Sequence, residues 1–323
     1  MPYSSMISRT DATQLIPVEV SDQIIKEVAA MNPIMSLARR LANMSRHEKS
    51  LPVANAVATA YFVNGDTGLK QTTELDWAGV TLTVEDVAAI VPIPENVLSD
   101  SEYDIWGETR PAIVEALSVA VANAVLWGID IPATWTTALG AAGIFARATA
   151  AGHVVSNAAY ADTYEAIMGE SAAGADGLIM RMEADGFIPN GYLASVQMRG
   201  RIRNMRDLNG VPLFTNTPQA GTNYAFDGSP CYFPTDGTMN DATAWLIAGD
   251  WSKLVYSIRQ DVTFKIITEG VISDAAGNIV FNLPQQDMVA LRAVMRLGWA
   301  LPNPINRMNA TALTRCPFAA LTA

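Results

Sequence analysis

The stretch that most constrains this chain is Asp104–Gly128, DIWGETRPAIVEALSVAVANAVLWG. From Pro111 onward it reads as a helix of about five turns, roughly 25 Å long. Proline suits a first helical position, where its missing N–H costs little, and Gly128 stands where helices stop. Ile113, Leu117, Val121 and Ala124 recur every three or four residues and form one apolar stripe. Val114, Val119 and Val125 widen it, leaving Glu115, Ser118 and Ala122 as a narrow mild face. Such a helix is expected to be covered on most sides, as the spine of the subunit.

The rest of the chain supplies elements that cannot cover themselves. Residues 1–20 look extended, Ser21–Met31 has helical spacing, Asn32-Pro33 breaks it, and Ile34–Leu41 reads as another short helix. This arm needs a surface on the same subunit or a neighbour. Ala56–Val63 and Val80–Ile93 read as two strands, joined by the turn-rich Asn64–Gly79. A two-stranded hairpin alone in water is marginal, so its support lies elsewhere, most simply on another copy of the chain. Ile131–Asn157 reads as loops with short apolar pieces, and Asp162–Met182 as helical. Phe187–Leu193 is a short strand and Ala194–Leu208 a basic helix. Thr215–Thr243 is loop, Ala244–Ala248 a buried strand, and Leu254–Arg259 and Thr263–Thr268 two more strands. Gly270–Asn278 is a turn region, Asp287–Arg296 a strand continuing toward Pro302, and the last twenty residues loop or tail.

Half of the 323 residues are apolar, an upper-edge value for a soluble chain, and charge-free runs such as Ile131–Ala146 are broken by Pro132, Gly140 and Gly143. No signal sequence or membrane partner is expected; surplus apolar surface points to self-assembly. The net charge of −11 argues against tight nucleic-acid binding. The basic residues are 16 Arg and five Lys, a skew toward the side chain that suits ordered interface ion pairs.

Chemistry is hard to assemble from these residues. His47 and His153 have no ligand at metal spacing, Cys231 and Cys316 lie far apart, and neither a Gly-rich phosphate loop nor a GxSxG elbow is present. No catalytic, cofactor or metal residue is assigned, and a structural protein is expected instead of an enzyme. In RGRIRNMR, Arg199, Arg203 and Arg206 would share one helical face; they could meet phosphate, but in a chain with 32 Asp and Glu carboxylate partners are favoured. Lys70, with Glu74 four residues on, reads as a solvated residue of the hairpin tip, and Trp77 as an interface anchor.

In this order the parts resemble the major capsid proteins of tailed bacteriophages, with the Hong Kong 97 type fold. The resemblance is carried by IVPIPENVLSDSEYDIWGETRPAIVEALSVAVANAVLWG at 90–128, GYLASVQMRGRIRNMRDLNGVPLF at 191–214, GDWSKLVYSIRQDVTFKI at 249–266 and DMVALRAVMRLGWALPNP at 287–304. Asp250, Trp251, Arg259 and Arg292 stand where such strands have them. It implies an α+β fold: N-terminal arm (1–50), extended hairpin (51–94), peripheral domain with the spine helix (95–186), axial domain (187–313) and C-terminal tail (314–323). It also implies pentamers and hexamers closing into an icosahedral shell around double-stranded DNA, a virion protein assembled in the host bacterial cytoplasm. DNA contact would be weak and nonspecific, with scaffolding, portal and decoration proteins supplied separately. Because the arm begins within about twenty residues of Met1, either scaffolding comes from another protein, which the initiator-like Met1 favours, or the sequence is already shortened. Some members join a hairpin lysine to a neighbour's asparagine; Lys70 lies in the matching element, but no partner asparagine or supporting glutamate stands out. Subunit contacts are expected at Lys70, Glu74, Trp77, Arg199, Arg203 and Arg206. The alternative within the fold is an encapsulin-type shell enclosing a cargo enzyme, whose hairpins tend to be shorter.

Overall fold

The computed structural model describes residues 33–63, 68–101, 104–169, 176–206, 211, 213, 224–239, 241–274 and 276–323. The extended segment expected at 1–20 and the helix expected over Ser21–Met31 both lie outside the described residues. From Pro33 the chain forms α1 (Ile34–Leu37) and a two-residue strand, β1 (Arg39–Arg40). Ile34 is buried, so this part of the arm is seated on its own subunit.

A hairpin follows, built from β2 (Glu48–Ala54) and β3 (Trp77–Thr83), paired antiparallel from Glu48↔Thr83 to Ala54↔Trp77. Its first arm is therefore not Ala56–Val63, which belongs to no ladder. The β-branched and aromatic residues of that segment favour a strand only where a partner strand is available. The single strand expected over Val80–Ile93 is two, because the buried Val84 separates β3 from β4 (Glu85–Pro94).

After α2 (Glu95–Asp100) comes the long helix α3 (Ile105–Trp127). It starts before Pro111 because Asp104 caps it, its carboxylate accepting the Gly107 N–H at 3.0 Å. Pro111 sits inside the helix on an exposed face. Gly128 ends α3 at φ +72°, and an added Cβ there would lie 2.3 Å from the Ala142 carbonyl oxygen. Ile113, Leu117, Val121 and Ala124 are buried as the spacing predicts, and so is Ala122, expected on the mild face. Cover is one-sided, however: Ala112, Ala116 and Ala120 are exposed. By length and composition α3 could cross a membrane, yet Val121–Leu126 pack into the protein core.

The stretch expected to be loop after α3 holds α4 (Ala133–Leu139), α5 (Gly143–Ala150) and β5 (Val154–Ser156). Low charge hid these helices, whose Trp135, Leu139 and Ile144 enter the core. Next are α6 (Thr163–Met168), capped by Asp162, α7 (Leu178–Ala184), β6 (Gly191–Ala194) and α8 (Met198–Asn204). The basic helix is thus shorter than Ala194–Leu208. A small hairpin, β7 (Ala225–Phe226) and β8 (Ser229–Tyr232), lies within the expected loop, before β9 (Leu246–Gly249). The two strands expected between Leu254 and Thr268 are one, β10 (Val255–Ile267), with irregular register near Gln260. The turn region contributes β11 (Val271–Ser273) and, beyond it, β12 (Ile279–Asn282); β13 (Met288–Ala300) follows. The expected tail contains β14 (Phe318–Thr322).

Two main sheets result. One has strand order β1-β10-β13-β4, the other β5-β14-β9-β6-β8-β7. α3 packs on the first through Ile113 and Leu117 against Leu291 and Ala293. The largest core cluster joins both sheets, with Val125, Trp135, Trp251, Trp299 and Phe318 among its members. Indole N–H groups stitch it: Trp135 donates to the Thr83 carbonyl at 3.1 Å and Trp251 to that of Gly191 at 3.0 Å. The hairpin is anchored at its base, where Leu82 and Val84 meet Met44, Val255 and Ala300. Gly298 permits this approach; a Cβ there would fall 2.6 Å from Leu82 Cδ2 and the Thr83 oxygen.

β14 is therefore core, with Phe318 fully buried and edge-on to Trp251 at 5.1 Å. Phe318→Ala should cost about 3–5 kcal/mol in a denaturant titration, whereas a residue in a loose tail would cost about 0.5 or less.

Candidate subunit interface

Beyond the ladder, residues 55–63 and 68–76 form the two arms of a long loop. Its base is tied down: Asn55 N–H donates to the Asp76 carbonyl at 2.9 Å, and the Asn55 amide nitrogen to the Asp76 carboxylate at 3.0 Å. Further out, Thr59 N–H donates to Thr73 Oγ1 at 2.9 Å, and Arg307 reaches across to the Ala58 carbonyl. It displays several large apolar side chains. Phe62 and Leu69 are essentially fully exposed, and Tyr61, Leu75 and Trp77 are more than half exposed. Single exposed apolar residues are ordinary, but this many on one projecting loop mark a contact surface. Lys70 and Glu74 stand exposed on the returning arm, and Trp77 opens β3.

A second uncovered surface runs along the exposed side of α3. A groove of about 500 Å³ lies between α3 and β4, lined by Val87 and Ala88 on one side and Ala116, Val119 and Ala120 on the other. Its acidic end is already structured. Glu85 accepts the Thr134 hydroxyl at 2.7 Å, and Asp86 pairs with Arg296 at 2.5 Å.

The basic helix places its arginines differently from the sequence expectation. α8 ends at Asn204, so Arg206 lies beyond it and cannot share a helical face with Arg199 and Arg203. Arg199 lies over the Tyr224 and Phe233 rings, at 4.9 and 5.5 Å from their centroids. Arg203 and Arg206 are exposed. The ordered pair belongs to Arg201: its two terminal nitrogens contact Asp241 at 2.8 and 2.9 Å, with the guanidinium 3.6 Å above the Trp245 ring. Burial works to raise the Asp241 pKa, but the Arg201 and Ser195 hydrogen bonds and the Arg201 charge outweigh it and hold it below the ordinary value.

Among the described residues no group of three His, Cys, Asp or Glu side chains is arranged to hold a metal. Both cysteines are free thiols, and burial pushes each up to about 12, far from a reactive thiolate. His47 is exposed and His153 is buried.

An arm seated on the subunit, a projecting hairpin, one long helix against a four-stranded sheet and a second, six-stranded sheet make up the Hong Kong 97 type capsid fold. The chain belongs to the phage capsid family, whose model matches residues 12–306. A solved chain from Microbacterium phage Oxtober96 is 30% identical, with a TM-score of 0.82 and coverage of 98% of this chain and 99% of that one. One from Mycobacterium phage Adephagia is 25% identical, with a TM-score of 0.78 and 98% of each chain covered. The major capsid protein of Staphylococcus phage 80alpha is 24% identical over 286 residues, 87% of this chain and 79% of that protein. The role is structural: a shell-forming capsid subunit of a phage virion, acting as a homo-oligomer.

Sequence reasoning passed over Arg201, although it lies in the same basic run; the pairing signal was Asp241, too distant in sequence to read. The linkage at Asp241 has a definite sign. A carboxyl whose folded pKa is depressed contributes stability above its ordinary pKa, and loses it as pH falls through the folded value. Asp241→Asn should therefore destabilise the protein at neutral pH, by about 1–3 kcal/mol in urea titrations, with the difference shrinking as pH falls below the ordinary aspartate pKa of about 3.9.

Proposed function

We propose that copies of this chain assemble as pentamers and hexamers into an icosahedral shell enclosing the double-stranded DNA genome of a tailed phage, within the host bacterial cytoplasm. The observation that carries this reading is the loop formed by residues 55–63 and 68–76, whose Phe62 and Leu69 are essentially fully exposed among the described residues. Burying such a surface against a neighbouring copy yields the apolar contact on which stable interfaces rest. Lys70, Glu74 and Trp77 belong to that contact, and Arg203 and Arg206 face neighbouring copies around the local symmetry axis. Arg199 acts there through its aromatic neighbours. With a net charge of −11, the subunit holds packaged DNA only by weak, nonspecific contact, which suits a genome that must enter and leave. Scaffolding, portal and decoration proteins complete the particle as separate chains.

Electron microscopy of the purified protein, with absorbance at 260 and 280 nm, tests this reading. Closed icosahedral particles are expected, with DNA in those taken from infected cells; closed shells holding a cargo enzyme would favour the encapsulin alternative. Replacing residues 56–75 by a short turn keeps both strands of the hairpin. That variant should fold, with unchanged circular dichroism, and build no normal shells. Normal shells from it would remove the loop from the interface.

A further inference from the structure

An uncovered edge strand is a template for pairing with another chain, and most edges of the two main sheets are blunted. Among the described residues β1, β5 and β7 are edge strands of only two, three and two residues. Past β1, the outer edge of β10 has an irregular register between Ile258 and Thr263 and carries Arg259, Asp261 and Lys265, a kink and charges that discourage pairing. β4 differs: it is an edge strand of ten residues whose middle, Val87–Val91, holds no charge and no proline. Its pairing with β13 runs one for one from Met288↔Pro94 to Leu297↔Glu85, and just beyond it the Glu95 N–H donates to the Asp287 carbonyl at 2.9 Å. Hydrogen-bonded pairs alternate along an antiparallel ladder, so the odd-numbered residues of β4 bond to β13 and the even-numbered ones turn their backbone groups outward. Pro92 and Pro94 fall on outward positions, where a missing N–H leaves the ladder intact. Asp86, Ala88 and Ile90 are left with outward N–H and C=O groups that no described residue meets.

A segment with the complementary need lies on the projecting loop. Ala56–Val63 contains no charged residue and no proline, and its β-branched and aromatic residues suit a strand. Yet among the described residues the backbone of Ala60–Val63 makes no hydrogen bond, and all four residues are exposed. We infer, on the shell reading proposed above, that Ala60–Val63 of one copy adds as a further strand to the outer edge of β4 in a neighbouring copy. The four-stranded sheet then continues across the boundary between subunits. The added strand runs beside the groove between α3 and β4, whose walls include the apolar Val87, Ala116, Val119 and Ala120. Side chains alternate between the faces of a strand, so Phe62 lies opposite Tyr61 and Val63, and one of these two sets enters the groove. Backbone bonds to Asp86, Ala88 and Ile90 supply the attachment, and the side chains seated over the small α3 alanines supply the fit.

Amide hydrogen exchange of the full chain, resolved to single residues and compared between unassembled subunits and closed shells, tests the pairing. The amides of Ala88 and Ile90 and those of Ala60–Val63 should gain protection together on assembly, each by at least about tenfold. A proline at position 88 removes an outward N–H and spares the ladder to β13. Ala88→Pro should therefore leave the circular dichroism of the subunit unchanged and block normal shells, whereas Ala88→Ser, which keeps the N–H, should assemble. Normal shells from Ala88→Pro overturn the inference. So do closed shells of the unaltered protein in which Ala88 and Ile90 stay unprotected, and either result leaves the shell reading standing. Protection of Ala88 and Ile90 without protection of Ala60–Val63 gives the edge to another segment and also overturns it. Should Ala88→Pro fail to fold, exchange in the unaltered protein decides, and no shells at all from the unaltered protein removes the shell reading and the pairing together.

Discussion

The antiparallel ladder between β10 and β13 is the pairing on which the other elements depend. It runs from Val255↔Ala300 to Ile267↔Ala290, and β1 and β4 add to its outer edges. One end lies deep in the core, where Tyr256 stacks on Trp299 with ring centroids 4.9 Å apart. Toward the other end Phe264 and Ile266 are exposed. Strands of this length transmit position along the subunit, because each ladder bond fixes the register of the next. α3 lies across this sheet, and the hairpin base crosses β13 at Gly298, so the projecting loop is aimed by the same ladder that organises the core.

The parts of the fold legible in sequence are those whose signals are local. α3 announces itself by apolar spacing and by Gly128, and its start was misplaced because Pro111 is tolerated inside the helix on an exposed face while Asp104 caps it earlier. β13 was legible as a long apolar run. Elements that depend on distant partners were not. Ala56–Val63 has strand composition and no partner strand, whereas Glu48–Ala54, with its charged first residues, pairs because β3 lies alongside. β14 is FAALT, short and alanine-rich; only its place between β5 and β9 makes it a strand.

The candidate interface divides in the same way. Trp77, expected as an interface anchor at the end of a turn-rich tip, is exposed in the isolated subunit. The grouping of Arg199, Arg203 and Arg206 assumed a helix that persists past Asn204, and helical spacing defines a face only as far as the helix extends. The uncovered groove beside α3 was invisible in sequence, since small alanines read equally well as buried or exposed.

The placement of β14 also bears on how the subunit comes to exist. It is gripped by partners far away in the chain, His153 and Phe318 being 165 residues apart. Contacts of such separation are closed late, because the entropy of the intervening loop is lost before any contact rewards it. Completing the six-stranded sheet therefore carries a larger loop-closure cost than forming the hairpin of β2 and β3, whose strands are near neighbours in the chain.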